Sequence, residues 1–181
     1  MKLIRTIRLD PSDTFVFERA AEPGEWAVSG AFAFWNADAE TLEGKARSAF
    51  RSGFLGVGSL GWSTLVQIVE ATAGDRATLV ELLAQQLVAR FGAPDVATAR
   101  DAAEEEVAFA QSLCNHPADT LIAVHRASED GAVREAFRTL HPRGDRKPMR
   151  VFSFLEVEGE EERGDEVDLI ALADNKNAGP R

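Results

Sequence analysis

Residues 120–140 read TLIAVHRASEDGAVREAFRTL, two runs of strand-forming residues on either side of a turn. Asp130-Gly131 is the preferred kind of residue pair for a two-residue type I′ turn, which matches the twist of antiparallel strands. The pattern therefore predicts a β-hairpin in which Thr120–Arg126 pairs with Ala132–Leu140.

The length of the turn fixes which residues of the hairpin lie opposite each other. With two residues in the loop, Arg126 lies opposite Glu135 as a cross-strand pair of opposite charge. Side chains alternate between the two faces of a strand. We expect one face to meet the core through Ile122, Val124, Val133 and Phe137. The other face carries Leu121, Ala123, His125, Arg134, Ala136, Arg138 and Leu140.

The second face of the hairpin holds a candidate anion-binding site. His125 lies diagonal to both Arg134 and Arg138 in the predicted register. Two arginines and a histidine can bind a carboxylate or a phosphate. The alternative interpretation is a mixed polar and apolar face that contacts solvent and binds no ligand.

The rest of the chain predicts three strands, a helix, a strand, two helices and a final strand around this hairpin. Helices do not alternate regularly with strands, so a doubly wound parallel sheet is not expected. We predict an α+β fold, of order βββ-α-β-αα-βββ, with a mainly antiparallel sheet and helices packed on one face. The predicted elements are strands over Leu3–Leu9, through Phe15 and Phe17 and over Trp26–Phe34, a helix over Asp38–Phe50, a strand over Ser63–Glu70, helices over Asp75–Phe91 and Asp95–Leu113, and a strand over Arg150–Val157.

Charge is distributed unevenly along the 181 residues, whose formal net charge is −10. Residues 156–181 alone contribute −6. We expect one domain over residues 1–158, followed by an acidic, mobile tail over residues 159–181. Binding to nucleic acid or to an anionic membrane needs a basic surface, and the sequence shows none. We therefore expect neither partner.

Three features favour the cytoplasm. The chain contains a single cysteine, so it cannot form an internal disulfide, which fits a reducing compartment. Arg5 and Arg8 interrupt the apolar residues near the N-terminus, so no signal-peptide core is expected there. No run of 18 apolar residues occurs, and we expect no membrane-spanning helix.

A glycine-rich stretch, Gly53–Gly61, superficially resembles a loop that binds phosphate or a dinucleotide. Such loops follow a strand and open a helix, whereas this one follows a predicted helix and opens a strand. We interpret it as a connector whose glycines adopt positive φ angles.

Cys114 and His116 have the spacing of a metal-ligand pair at the end of a helix. Cys114 also ends the apolar stripe of that helix, which favours the alternative of a buried core thiol and a surface histidine. Residues 104–106 are three consecutive glutamates, which we interpret as a solvated helix face.

Two segments resemble an uncharacterised family of alphaproteobacterial proteins, over roughly residues 1–157. They are EEEVAFAQSLCNHP at residues 104–117, and SGFLG at residues 52–56 together with GWSTLV at residues 61–66. The resemblance implies a bacterial cytoplasmic protein. It implies no activity, cofactor or site residue.

No triad or metalloprotease pattern occurs, and three histidines leave few candidates for a general base. Our leading hypothesis is a non-catalytic binding or accessory protein, with a protein partner among the candidates for what it binds. The alternative is a small metal- or anion-dependent enzyme that uses Cys114 and His116, or the face of His125, Arg134 and Arg138. A structural subunit is a third possibility. The sequence assigns no cofactor, ligand or oligomeric state.

Overall fold

The protein is described by a computed structural model over residues 1–129, 132–142 and 155–158, which form two antiparallel sheets, four α-helices and one 3-10 turn. The strands are β1 (Lys2–Ile7), β2 (Ala27–Val28), β3 (Phe54–Gly56), β4 (Trp62–Ser63), β5 (Leu65–Glu70), β6 (Leu121–Glu129), β7 (Ala132–Pro142) and β8 (Leu155–Glu158). The helices are α1 (Ser12–Val16), α2 (Gly44–Ser52), α3 (Ala73–Arg90) and α4 (Val96–Ser112), and the 3-10 turn is Ala31–Phe34.

The larger sheet has five strands in the order β1-β5-β6-β7-β8, and every neighbouring pair is antiparallel. The smaller sheet has the order β2-β3-β4 and is also antiparallel. The predicted α+β class with antiparallel pairing is confirmed. The second sheet was not expected, because its strands are only two or three residues long and such short runs carry little periodicity.

The hairpin has the predicted register. Arg126 pairs with Glu135, and the strands extend to the pair of Glu129 and Ala132. Ile122 and Val124 are buried as predicted, but Val133 is 44% exposed, so its expected core position is wrong. It lies near the tip of the hairpin, opposite Ser128, beyond the buried pairs. The turn residues Asp130 and Gly131 lie outside the described residues.

Two of the predicted N-terminal strands are replaced by helical turns. Phe15 lies in α1, where the Thr14 N–H donates to the Pro11 carbonyl and the Asp10 carboxylate accepts from the Ser12 N–H. These local bonds compete successfully with strand formation. Of the next predicted strand, Ala27–Val28 forms a strand and Trp26 makes an isolated bridge with Arg5, after which Gly30 adopts a left-handed φ of 81° and opens the 3-10 turn.

The helices agree with the sequence at α3 and α4 and differ at α2. Asp95 caps α4 as predicted, since its carboxylate accepts from the Thr98 N–H at 2.8 Å. Gly92 has the left-handed φ of 75° expected just after α3. The predicted start of α2 at Asp38 is wrong, because that carboxylate accepts from the Glu40 N–H within a turn, and the helix begins at Gly44.

The core lies between the face of the large sheet that carries Ile122 and the elements packed on it. Phe137 of this face contacts Phe109 of α4 and Phe54 of β3, with ring centroids 5.7 and 6.1 Å apart. Fully buried members of the core include Ile4, Val66, Ile68, Leu79, Leu83, Ala103 and Val107. None of the helices described is long and apolar enough to cross a bilayer.

The acidic tail of residues 159–181 and most of the predicted strand Arg150–Val157 lie outside the described residues.

Candidate anion-binding site

One edge of β6 is left open where β5 begins. The ladder between them runs from Gln67 paired with Leu121 to Leu65 paired with Ala123. Beyond Ala123, no strand among the described residues pairs with this edge of β6. Backbone N–H and C=O groups alternate in direction along a strand, so part of this edge presents polar backbone groups towards the neighbouring helix α2.

A cavity of about 260 Å³ lies between α2 and this part of β6. Its lining consists of Ala39 and Glu40, then Arg47, Phe50 and Arg51 of α2, and His125, Arg126, Ala127 and Ser128 of β6. We refer to it as the α2–β6 cavity.

The α2–β6 cavity is rich in cationic groups, although the protein is acidic overall. Arg47 and Arg51 are four residues apart on α2 and lie on one face of that helix. Their side chains and that of His125 are exposed, and none of the three makes an ion pair with another described residue. Glu40 is the only acidic residue of the lining. The cavity is therefore suited to a small anion.

Arg126 belongs to the cavity lining, and its side chain is completely buried. Its Nε donates to Glu135 Oε1 at 2.6 Å, and its Nη1 donates to the carbonyls of Phe50 and Gly53 at 3.0 and 2.7 Å. Its Nη2 donates to the carbonyl and the hydroxyl of Ser29. A guanidinium has five N–H groups, and each has an acceptor here. Arg126 is thus occupied by the protein itself and cannot bind a ligand directly.

These hydrogen bonds attach the C-terminal end of α2 to β6. The last carbonyls of a helix have no partner within the helix, and a cation at this end interacts favourably with the helix dipole. Arg126 satisfies the carbonyls of Phe50 and Gly53 in this way. It therefore fixes the end of the helix that carries Arg47 and Arg51.

A second carboxylate lies beside the buried pair. The pKa of Glu106 is raised to about 7, first by burial and then by the charge of Glu135, while Arg126 opposes both effects. Burial also lowers the pKa of Arg126, which its bond to Glu135 opposes. The interpretation of all three glutamates as a solvated face is wrong for Glu106, which is half-buried, whereas Glu104 pairs with Arg76 at 2.7 Å near the surface.

Of the three residues in the predicted anion site on the hairpin, His125 is the one that lines this cavity. His125 lies opposite Ala136, between the positions of Arg134 and Arg138 on β7, so the three residues share a face as predicted. Arg134, however, pairs with Glu129 at 2.8 Å. The site of His125, Arg134 and Arg138 stays a prediction, and His125 also lines the cavity with the arginines of α2.

Arg47 and Arg51 were not identified from the sequence. Their spacing of four residues within a predicted helix was a usable signal, because it places both side chains on one face. That this face meets His125 depends on the packing of α2 against β6, which the sequence pattern does not contain.

Cys114 and His116 are near each other in the chain but differ in environment. Cys114 is buried, its Sγ lies 3.5 Å from the Ala110 carbonyl, and burial raises the pKa of its thiol to about 11. The backbone carbonyl of His116 accepts from Lys2 Nζ. Among the residues described, no group of three or more His, Cys, Asp and Glu side chains is arranged to hold a metal ion. A metal at Cys114 and His116 stays an untested hypothesis.

The glycine-rich loop holds a carboxylate of its own chain. The Ser59 N–H donates to Glu25 Oε2 at 2.7 Å, and the Glu22 N–H donates to Glu25 Oε1 at 2.8 Å. A Cβ on Gly56 would lie 2.3 Å from that carboxylate. The loop's anion-binding position is therefore filled by Glu25.

The reason for the glycines in this loop differs from the one expected. No glycine between Gly53 and Gly61 has a positive φ, and Leu60 is the residue with a left-handed φ of 56°. The glycines are required for space, since a Cβ on Gly61 would lie 2.4 Å from the Ala20 carbonyl oxygen. The expectation of positive φ at these glycines is wrong.

Comparison with known proteins identified a family. The model of a family of unknown function, DUF6505, matches residues 1–155. Neither the curated proteins nor the solved structures gave a match.

Proposed function

This chain belongs to the family of unknown function DUF6505, and from that premise we propose that it is a non-catalytic binding protein whose α2–β6 cavity holds a small anion. One observation carries the proposal. Arg47, Arg51 and His125 meet around one cavity without a counter-charge from the described residues other than Glu40. The candidate ligands of the cavity are carboxylates, sulfate and phosphate.

The arrangement of the arginines supports an anion rather than a neutral ligand. Like charges four residues apart on a helix destabilise it by a few tenths of a kcal/mol. An anion between Arg47 and Arg51 removes this repulsion. Guanidinium groups also bind carboxylates and phosphates through two parallel hydrogen bonds.

The size of the cavity limits the ligand. A volume of about 260 Å³ is just below the roughly 300 Å³ at which pockets for drug-sized molecules begin. Phe50 supplies an apolar wall beside the arginines. A small anion, or the anionic group of a larger molecule, fits these dimensions.

The alternative of a small enzyme has less support from the residues around the cavity. Ser128 and His125 both line it, but they lie three residues apart in β6 and therefore on opposite faces of the strand. They cannot act together as nucleophile and base in this conformation. Cys114, the other potential nucleophile, is buried.

The experiment that tests the proposal is a titration with sodium sulfate at matched ionic strength, followed by the NMR signals of the histidine rings. We expect the His125 signal, assigned with H125Q, to shift and saturate. Replacing both Arg47 and Arg51 by alanine should abolish this shift.

The matched control is the double replacement of Arg134 and Arg138 by alanine, which removes the same charge from the other neighbours of His125. It should leave sulfate binding unchanged. If instead this variant loses the shift and the α2 variant keeps it, the hairpin face is the site and the proposed cavity is wrong. An unshifted His125 signal in the wild-type protein contradicts both candidate sites, the α2–β6 cavity and the hairpin face.

We also propose the bacterial cytoplasm as the compartment. The single cysteine fits a reducing environment, and the resemblance of residues 104–117 to a bacterial family agrees with it. Fractionation of a bacterium that encodes the chain tests this directly.

A further inference from the structure

Glu106 is a half-buried carboxyl group whose charge interacts with Arg126, a residue of the α2–β6 cavity lining. We propose that an anion entering this cavity draws a proton onto Glu106, so that anion binding and protonation are linked through Arg126. The inference rests on the proposed function, since it assigns a means of regulation to the same cavity.

Glu106 of α4 and Glu135 of β7 lie near one contact between helix and sheet, and their charges interact. Phe109 of α4 contacts Phe137 of β7, with ring centroids 5.7 Å apart. Glu106 lies one helical turn before Phe109 and on nearly the same side of α4. Glu135 lies two residues before Phe137 and on the same face of β7. The two carboxylates therefore extend from the same contact between helix and sheet.

The charges at this contact do not balance when Glu106 is ionised. The charged groups that act on it are Glu135 from β7, Arg126 from β6 and Glu105 from α4 itself. Arg126 already shares its charge with Glu135 at 2.6 Å. An ionised Glu106 leaves a net negative charge in a half-buried place, and a proton neutralises it. This agrees with the pKa of about 7, caused first by burial and then by Glu135.

Arg126 belongs to both the carboxylate cluster and the cavity wall. An anion in the cavity attracts its positive charge and repels the nearby carboxylates. The repulsion favours the protonated form of Glu106. Because coupling between two sites is reciprocal, protonated Glu106 must in turn strengthen anion binding.

The test separates Glu106 from His125, because His125 also lines the cavity. It uses calorimetric titrations with sodium sulfate at constant ionic strength, because sulfate does not change its own protonation in this range. The proteins are the H125Q variant and the H125Q/E106Q double variant. Measurements at one pH in two buffers of different ionisation enthalpy give the number of protons taken up on binding.

We expect H125Q to bind sulfate about fivefold more tightly at pH 6 than at pH 8.5, which is the lower end of ordinary coupling between two sites. It should take up a fraction of a proton near pH 7.5. H125Q/E106Q should take up none and should bind at pH 8.5 as H125Q does at pH 6. A pH dependence that survives E106Q overturns the proposal.

A second measurement is made on the wild-type protein. Carboxyl carbon NMR should show the titration midpoint of Glu106 moving to higher pH when sulfate is added. If sulfate binds and depends on Arg47 and Arg51 but the midpoint stays fixed, the linkage is wrong and the proposed function stands. If sulfate does not bind at all, both are wrong.

Discussion

Arg126 of β6 and Glu135 of β7 form an ion pair of 2.6 Å in which the arginine is completely buried and the glutamate side chain is 17% exposed. The pair is part of a larger set of hydrogen bonds, since the Ser29 hydroxyl also donates to Glu135. A buried charge requires such complete pairing, because removing one partner leaves the others without water or protein to bind.

The first prediction concerns the loss of Arg126. Arg126→Ala leaves Glu135 and the carbonyls of Ser29, Phe50 and Gly53 without their donors. We expect the free energy of unfolding to fall by about 3–5 kcal/mol, as when one member of a buried ion pair is removed. Urea unfolding followed by circular dichroism measures this change.

Arg134→Ala is the matched control, because Arg134 lies in the same hairpin and pairs with Glu129 where both side chains are more than half exposed. Exposed pairs contribute about 0–1 kcal/mol. Equal effects of the two substitutions would show that Arg126 is not the buried anchor described above.

The second prediction concerns the pH dependence of stability at Glu106. Its pKa is about 7 in the folded protein and close to 4.5 when unfolded, so the unfolded chain binds fewer protons between these values. Stability from this group is fully present below pH 4.5 and is lost as the pH rises through 7. Glu106→Gln removes the titrating group, so the variant does not lose this stability as the pH rises. The variant should match the wild-type protein at pH 5 and exceed it at pH 8.

The expected gain at pH 8 is on the order of 1–3 kcal/mol, reduced from the full pKa difference because Glu106 is partly exposed. Glu105→Gln is the control, since Glu105 is on the same helix and exposed. Because Glu105 is the weakest of the groups that shift the pKa of Glu106, this variant should change the difference between pH 5 and pH 8 much less than Glu106→Gln does. A Glu106→Gln variant with the wild-type pH profile contradicts the prediction.

Arg126 and Glu135 show how far the sequence could predict the site. The turn pair Asp130-Gly131 was enough to place Arg126 opposite Glu135, because register follows from loop length. It could not indicate that Arg126 is buried. That depends on Ser29 and the end of α2, which are separated from it by 97 and 76 residues in the chain.

The same distinction applies to the fold, where elements set by a local sequence pattern were predicted and those set by tertiary contacts were not. Long helices with periodic apolar residues, α3 and α4, were predicted within a few residues of their observed ends. The region before α2 was not, because the same alternation of phenylalanines suits a strand or a 3-10 turn. There Phe34 stacks against Trp62 with ring centroids 5.2 Å apart, a tertiary contact that no local pattern contains.

The third prediction concerns the reactivity of Cys114. Burial raises the pKa of its thiol to about 11, and the thiolate is the reactive form. At pH 8 an aromatic disulfide reagent should therefore react on the order of 100-fold more slowly with the native protein than with the chain in urea. Absorbance of the released thiolate measures both rates.

Rapid reaction of the native thiol would show that Cys114 is accessible and ionised. The same conclusion would follow if protein purified without a metal-affinity tag contained one equivalent of zinc and the Cys114→Ser variant contained none. Either result would restore the hypothesis that Cys114 and His116 form a functional site.

The fourth prediction concerns the glycine-rich loop, where the need for space can be separated from backbone strain. A Cβ on Gly58 would lie 2.8 Å from Glu25 Oε2, and its other near neighbour is the Glu25 Cδ at 3.9 Å. Gly58→Ala should therefore destabilise the protein by about 1–3 kcal/mol, the usual range for overpacking. In a Glu25→Ala background the clash is absent, so the same substitution should cost much less.

Gly61→Ala provides the comparison, because its Cβ would meet the backbone of Ala20 and Ala21 at 2.4–2.6 Å and not the Glu25 side chain. Its cost should be the same with and without Glu25. Double-mutant cycles from urea unfolding give the coupling energy for each glycine. We expect a large coupling of Glu25 with Gly58 and none with Gly61. If Gly58→Ala costs as much without Glu25 as with it, the loop does not enclose that carboxylate, and its backbone N–H groups are available to an external anion.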